Sequence, residues 1–430
     1  MSNETKIRHN FIDLTLIQVG GFLCPPAVML GFILSMNYGV TTAALNILLG
    51  NIILALLAIP IGMSASESRK PTIEYVKLIM GSIGAKIAAL GSLVVMAGWF
   101  AINLNLTSES ILSTFGSSKI SEMRMLINLG LGLLIMLAVS RGIDFLKDMS
   151  KVTVPLFIIS MTATFAMLLS GTSIPLESVD APKVELAAIL LAVAGPFSMI
   201  FDLPTYFRFA RSKKDSTISI IIIFIIAMSL VEMLGVVFYM LSPAGSLVEM
   251  LTSTGGMLLI CFNTLFLVVA GLTTNNSNLY VSSINISALL PNASHNRRIL
   301  IVGMISIALS MVDVLSHYET LLQTILVVLA CITSLIFIHA LIKRLEVSHL
   351  IALVSIAVGI AVGICSSLQI IQVINSAFIE AALVTAICYC AISAVNQGIP
   401  FAFQKLGASC IRTRIPTQLL KCFGYLLRRT

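Results

Sequence analysis

Two stretches of this chain place helix-breaking residues in the middle of long apolar runs. The first reads Ile17-Gln18-Val19-Gly20-Gly21-Phe22-Leu23-Cys24-Pro25-Pro26, and the second Gly195-Pro196-Phe197-Ser198-Met199-Ile200-Phe201-Asp202-Leu203-Pro204. Proline removes a backbone donor and glycine adds conformational freedom, so neither stretch is expected to form a continuous helix. Unwound backbone offers carbonyls and helix ends, which is the chemistry that holds a small solute or a cation. Ordinary proline kinks are the simpler alternative. Trp99, the chain's one tryptophan, lies deep in another apolar run. It can serve as a platform for a flat ring, since a base stacked on an aromatic side chain gains roughly 1–3 kcal/mol. Packing against a neighbouring helix is the alternative. Asn103 falls one turn later on the same helix face and can both donate and accept at a ring's edge. A third polar run, Thr273-Thr274-Asn275-Asn276-Ser277, interrupts a further apolar segment.

Asp202 stands inside the second break, where a carboxylate is costly and suggests function. It could carry a coupling proton, pair with a cationic solute, or cap the half-helix that follows it. Glu232 and Asp313 are read as outer-span residues, water-exposed or paired structurally.

The elements that must position these groups are membrane helices. The chain is 58% hydrophobic and only 10% charged, against roughly 25% charged residues in a soluble domain. Apolar runs of about 20 residues, the length that crosses a bilayer core, recur at about 14–36, 41–63, 84–106, 125–141, 152–171, 185–210, 217–241, 257–281, 299–315, 320–342, 349–369 and 376–396. About twelve spans with cytoplasmic termini put Arg69, Lys70, Arg208, Arg211, Lys213, Lys214, Arg297 and Arg298 on the inner side and leave Lys119, Arg124 and Lys183 outside, as the positive-inside rule requires. The net charge of +7 then reflects contact with anionic inner-leaflet lipid rather than nucleic acid. No cleaved leader is expected. The cysteines show neither disulfide nor metal-ligand spacing.

The two breaks are five spans apart, which is what a five-plus-five inverted repeat produces. The expected organisation is a cytoplasmic segment at 1–13, a ten-helix core at 14–342 (repeats at about 14–171 and 185–342), peripheral helices at 349–396, and a basic cytoplasmic tail at 397–430. The tail's leucines and basic residues suit an interfacial helix or a disordered segment.

The segments Ile47-Leu48-Leu49-Gly50-Asn51, Gly98-Trp99-Phe100, Phe207-Arg208-Phe209-Ala210-Arg211, and Thr273-Thr274-Asn275 with Leu279-Tyr280 occur in an order and spacing over residues 12–290 that resembles the nucleobase:cation symporter-1 transporters, the cytosine permeases in particular. The resemblance implies a LeuT-like fold with broken helices 1 and 6 and two peripheral helices. It implies uptake of a planar nitrogen heterocycle driven by Na⁺ or H⁺, without other cofactor. Carried over residue by residue, the carbonyls of Gly20, Leu23 and Ala270 and the hydroxyls of Thr273 and Thr274 form a Na⁺ site. Trp99 stacks the ring, and Phe197, or Pro196 in an ungapped alignment, covers its other face, with Phe197 the expected residue. Asn103, Ser198 and Asn275 supply polar edges. Met96 and Cys24 stand where cytosine permeases contact substrate through other side chains, which argues for a less polar pocket than cytosine needs.

The expected protein is a monomeric plasma-membrane symporter and not an enzyme, since the spans carry no HExxH or other catalytic pairing. The competing readings are a proton-coupled amine or amino-acid carrier on the same fold, with Asp202 as the charged partner, and a channel.

Overall fold

The computed structural model describes residues 8–115, 120–171, 181–241, 247–253, 255–312, 318–342, 348–371 and 373–396. Asp313 and the basic tail, with its expected interfacial helix, lie outside the described residues. The elements in chain order are α1 (Phe11–Phe22), α2 (Pro25–Tyr38), α3 (Val40–Ser68), α4 (Thr72–Phe115), α5 (Ile120–Val139), α6 (Ile143–Gly171), α7 (Leu186–Ala194), α8 (Phe197–Phe207), α9 (Lys213–Ile221), α10 (Ser229–Leu241), α11 (Leu247–Ser253), α12 (Met257–Asn285), α13 (His295–Ser310), α14 (Tyr318–Leu341), α15 (His349–Ser367) and α16 (Ala377–Asn396). Among the described residues, eight helices are long and apolar enough to cross a membrane, the bent pair α1–α2 forms a further such unit, and shorter apolar helices run over Met123–Val139 and Leu326–Leu341. Each span expected from the sequence overlaps one of these helices or the sixteen-residue α13, which ends at Ser310. The short α11, between the seventh and eighth expected spans, was not anticipated.

The two interruptions differ in degree. Helices α1 and α2 meet at 67°, because Leu23 and the extended Cys24 leave helical geometry and Pro25 and Pro26 cannot donate. Helices α7 and α8 are separated only by a turn at Gly195-Pro196 whose backbone stays near helical values. The second break therefore bends the span much less than the first. The expected third span proves to be the second part of a longer element: Gly81, at φ +69°, turns the chain inside α4, a conformation that glycine alone adopts without strain. A Cβ there would also meet the ring of His349 at 3.0 Å.

Helices α4 and α12 pack against each other along the centre of the bundle, α2 lies against α10, and α14, α15 and α16 form a group at one side. One end of the bundle is tied together by polar contacts between the halves. The His9 N–H donates to the Phe209 carbonyl at 2.9 Å and the Arg211 N–H to the His9 carbonyl at 2.8 Å, and Thr72 Oγ1 donates to the Phe201 carbonyl at 3.2 Å. Arg69 Nη1 donates to the Arg208 carbonyl at 3.0 Å and also to the Ala210 carbonyl. Hydrogen bonds from a charged donor contribute about 1.5–3 kcal/mol. Arg69→Ala is thus expected to lower thermal stability by about that amount, read as the melting midpoint in detergent beside the exposed control Lys214→Ala.

Candidate functional site

A cavity of about 80 Å³ opens where the two interrupted spans face α4, α10 and α12. That is ample for several waters, each needing about 10–15 Å³, and therefore for exchange of water with a solute. Its walls come from both sides of each break: Gly21, Phe22, Cys24 and Pro26 from α1–α2, and Gly195, Pro196, Ser198 and Met199 from α7–α8. Helix α4 adds Trp99 and Asn103, α12 adds Thr274 and Asn278, and α10 adds Glu232, with Met228 just before it.

Trp99 is only partly buried, as a stacking surface must be. Asn103 Nδ2 donates back to the Trp99 carbonyl at 2.9 Å, which leaves Oδ1 buried without a partner among the described residues. The amide is thereby presented as an acceptor. Thr274 Oγ1 likewise has no oxygen or nitrogen partner among the described residues and lies against the Cys24 thiol.

The backbone around the first break has carbonyls to spare. In a continuous helix the Gly20 carbonyl would accept from the Cys24 N–H and the Leu23 carbonyl from the Ala27 N–H. Here Cys24 N–H donates to Phe22 and Ala27 N–H to Cys24. The carbonyls of Gly20 and Leu23 lose their helical donors as a direct result of the Cys24-Pro25-Pro26 turn. Close by, Thr273 Oγ1 lies 2.7 Å from Thr153 Oγ1 of α6 and donates to the Val269 carbonyl at 2.8 Å. A Cβ at Gly20 would lie 2.0 Å from Ser150 Oγ, so α6 presses its Ser150 and Thr153 hydroxyls against the same corner. Ala270 is fully buried one turn before Thr274. Gly20 and Leu23 thus belong to α1 and its cap, and Ala270, Thr273 and Thr274 to α12, with α6 packed against both helices. Ser150 and Thr153 were not picked out from the sequence.

Other expected residues lie elsewhere. Phe197 does not cover the cavity: as the first residue of α8 its ring turns toward α16 and packs edge-on to Phe378 with centroids 5.4 Å apart. Pro196 is the residue at the wall, which favours the ungapped register. Met96 is buried in the core, and Asn275 is turned away, its Nδ2 donating to the Phe100 carbonyl at 3.1 Å. Asn278, three residues further along α12, is at the wall instead. Asp202 is buried beyond the cavity, accepting from Asn285 Nδ2 at 2.9 Å, and the same nitrogen donates to Ser92 Oγ at 2.8 Å. The other Asp202 oxygen has no partner among the described residues.

Glu232 is the largest departure from the sequence reading. It is neither water-exposed nor peripheral: it is 0% exposed and belongs to the cavity wall. Asn51 Nδ2 donates to Glu232 Oε2 at 2.6 Å and to Ser229 Oγ at 3.1 Å, so the pairing half of the expectation does hold. The signal was available, because the expected span at 217–241 has its middle near residue 229. A carboxylate three positions from a span's middle suggests function by default. The helix leading to it is also distorted, with π-helical geometry over Ile222–Met228, and such distortions gather at functional sites.

The sequence profile of a family described as permeases for cytosine/purines, uracil, thiamine and allantoin matches residues 5–359. No curated protein matches in a sequence search. Among solved structures, Mhp1, a nucleobase-cation-symport-1 family transporter in a closed conformation with bromovinylhydantoin bound, superposes with a TM-score of 0.70 at 14% identity, covering 93% of this chain and 97% of that one. An inward-facing conformation of Mhp1 gives 0.67 at 13% identity over 92% and 95%. A Na⁺-coupled sialic acid symporter in a substrate-bound outward-open state gives 0.68 at 14% identity over 90% of each chain. The fold is therefore the LeuT-like one that the family resemblance implied, and the chain is a multi-pass membrane transporter rather than an enzyme. By the extent of the profile match, the chain belongs to the family of permeases for cytosine and purines, uracil, thiamine and allantoin.

Proposed function

We propose that this permease is a Na⁺-coupled symporter that carries a planar nitrogen heterocycle into the cytoplasm, acting as a monomer in the plasma membrane with both termini inside. The observation that carries the reading is the shared cavity: the single tryptophan, an acceptor amide one turn away, and both interrupted spans meet at one space. Trp99 would stack the ring while Asn103, Ser198 and Asn278 meet its edge. The ion would sit at the neighbouring corner, held by the carbonyls of Gly20, Leu23 and Ala270 and the hydroxyls of Thr273 and Thr274. Neutral oxygens suit a small hard cation, whose hydration oxygens they replace. An inward Na⁺ releases about 2.3 kcal/mol per 100 mV, enough for several tens-fold accumulation of a neutral solute.

The deciding experiment is thermal stabilisation of the purified protein by nucleobases, hydantoins, pyridoxine, amines and amino acids, with and without Na⁺. Stabilisation by a heterocycle that is larger in Na⁺ is expected. Stabilisation by amino acids alone would replace this reading with the second one, a proton-coupled amine or amino-acid carrier. That alternative draws on the unpartnered oxygen of Asp202.

The ion corner makes a separate prediction. Thr273→Ala and Thr274→Ala are each expected to raise the Na⁺ concentration for half-maximal uptake by about tenfold, as loss of one ligand contact of roughly 1.5 kcal/mol requires. Maximal uptake at saturating Na⁺ should change much less. Uptake that stays Na⁺-dependent with unaltered half-saturation in both variants would remove these hydroxyls from the site.

A further inference from the structure

Glu232 brings a charge-bearing group to a wall that otherwise holds apolar and neutral side chains. Among the described residues no lysine, arginine or histidine lines the cavity. One carboxylate oxygen is taken by Asn51 at 2.6 Å, and the other, Oε1, is buried with no partner among the described residues. A buried carboxylate with half its acceptor capacity unmet is costly unless a donor arrives. Asn103 Oδ1 is a second buried acceptor without a partner on the same wall. A carboxylate turns readily about its terminal bond, so Oε1 can meet a solute held on Trp99.

These two unmet groups are both acceptors, whereas the unmet hydroxyl of Thr274 lies against the Cys24 thiol at the ion corner. An ionised carboxylate only accepts, and an amide whose nitrogen is bound to its own helix presents only its oxygen. Two acceptors require donors, and a buried carboxylate with no cation among the described residues takes up a proton unless a positive or strongly polarised N–H group meets it, so such a solute is what keeps Glu232 ionised. We infer that Glu232 is the specificity-determining residue of the cavity, and that it selects heterocycles bearing an exocyclic amino group or a ring cation over oxo analogues that present a carbonyl at the same position. This rests on the heterocycle reading proposed above and narrows its substrate class.

Matched pairs test it. Cytosine and uracil differ by an amino group for a carbonyl, as do adenine and hypoxanthine. Binding of each to the purified full-length protein is followed by melting midpoint and by the emission of Trp99, in Na⁺ and in its absence, for wild type and Glu232→Gln. The wild type is expected to bind the amino member of a pair at least tenfold more tightly. Glu232→Gln is expected to weaken the amino member by about 10- to 150-fold, the range for a hydrogen bond to a charged group, and to leave the oxo member little changed. Equal wild-type affinity within each pair overturns the inference while leaving the heterocycle reading intact, and it is decided without any variant should Glu232→Gln fail to fold. If Glu232→Gln abolishes the Na⁺ effect and preserves the amino preference, Glu232 serves the ion and the inference is wrong. Stabilisation by no heterocycle at all, amino or oxo, removes the proposed function itself.

Discussion

Trp99→Ala is expected to weaken heterocycle binding by about 5- to 150-fold, the equivalent of the roughly 1–3 kcal/mol that base stacking contributes. The tryptophan stands alone among the aromatic residues at the cavity in presenting an indole, and Phe197 does not supply a second face because its ring is engaged with Phe378. Pro196 offers a flat but non-aromatic surface there, and Phe22 is the aromatic residue left at the wall when the indole is removed. Trp99→Phe keeps a smaller π-face and should fall between wild type and alanine. The measurement is unusually direct, since the chain has one tryptophan: every change in indole emission on ligand addition reports this site, and Trp99→Phe must abolish the signal. Uptake with an unchanged half-saturation in Trp99→Ala would show that the ring binds elsewhere. Because stacking tolerates any ring, the variant should weaken both members of each amino and oxo pair alike, whereas the edge contact from Glu232 separates them.

The helical bundle was legible because its signals are local. Twenty-residue apolar runs report spans, and Gly-Gly with Pro-Pro in the first span reports a broken helix, which is borne out as a 67° bend. The second break was legible as a position but not as a degree: Gly195-Pro196 can be accommodated by a near-helical turn, and sequence does not distinguish that turn from a wide opening. Which way a side chain points near a break was less accessible still. Phe197 and Pro196 are adjacent, and one residue of register decides which faces the cavity. Asn275 and Asn278 differ by less than a full turn, and only the packing of α12 on α4 chooses between them. Glu232 was misplaced for another reason: its partner Asn51 comes from α3 and meets Ser229 and Glu232 of α10 across two helices, and no spacing in the chain announces such a meeting.

The close approach of α2 to α10, which holds Glu232 in place, carries the largest expected effect on folding. A Cβ at Gly31 would lie 1.8 Å from the Glu232 carbonyl oxygen, and one at Gly235 would lie 1.9 Å from the Val28 carbonyl oxygen. In both cases the obstacle is backbone rather than a side chain that can rotate away. Small residues permit this contact between membrane helices, and here two glycines meet reciprocally. Gly31→Leu and Gly235→Leu are therefore expected to cost more than the roughly 1–3 kcal/mol of ordinary overpacking, because the helices must separate and carry Glu232 away from Asn51 and the cavity. Loss of saturable uptake and a collapse of the melting midpoint should occur together in each. Gly98→Ala is the control: nothing lies within 4 Å of a Cβ there, it is next to Trp99, and alanine is favoured over glycine inside a helix by about 1 kcal/mol. Its melting midpoint should hold or rise with uptake retained. If Gly31→Leu and Gly235→Leu behave like Gly98→Ala, then α2 and α10 do not cross as closely as described, and the wall that Glu232 shares with Trp99 loses its support.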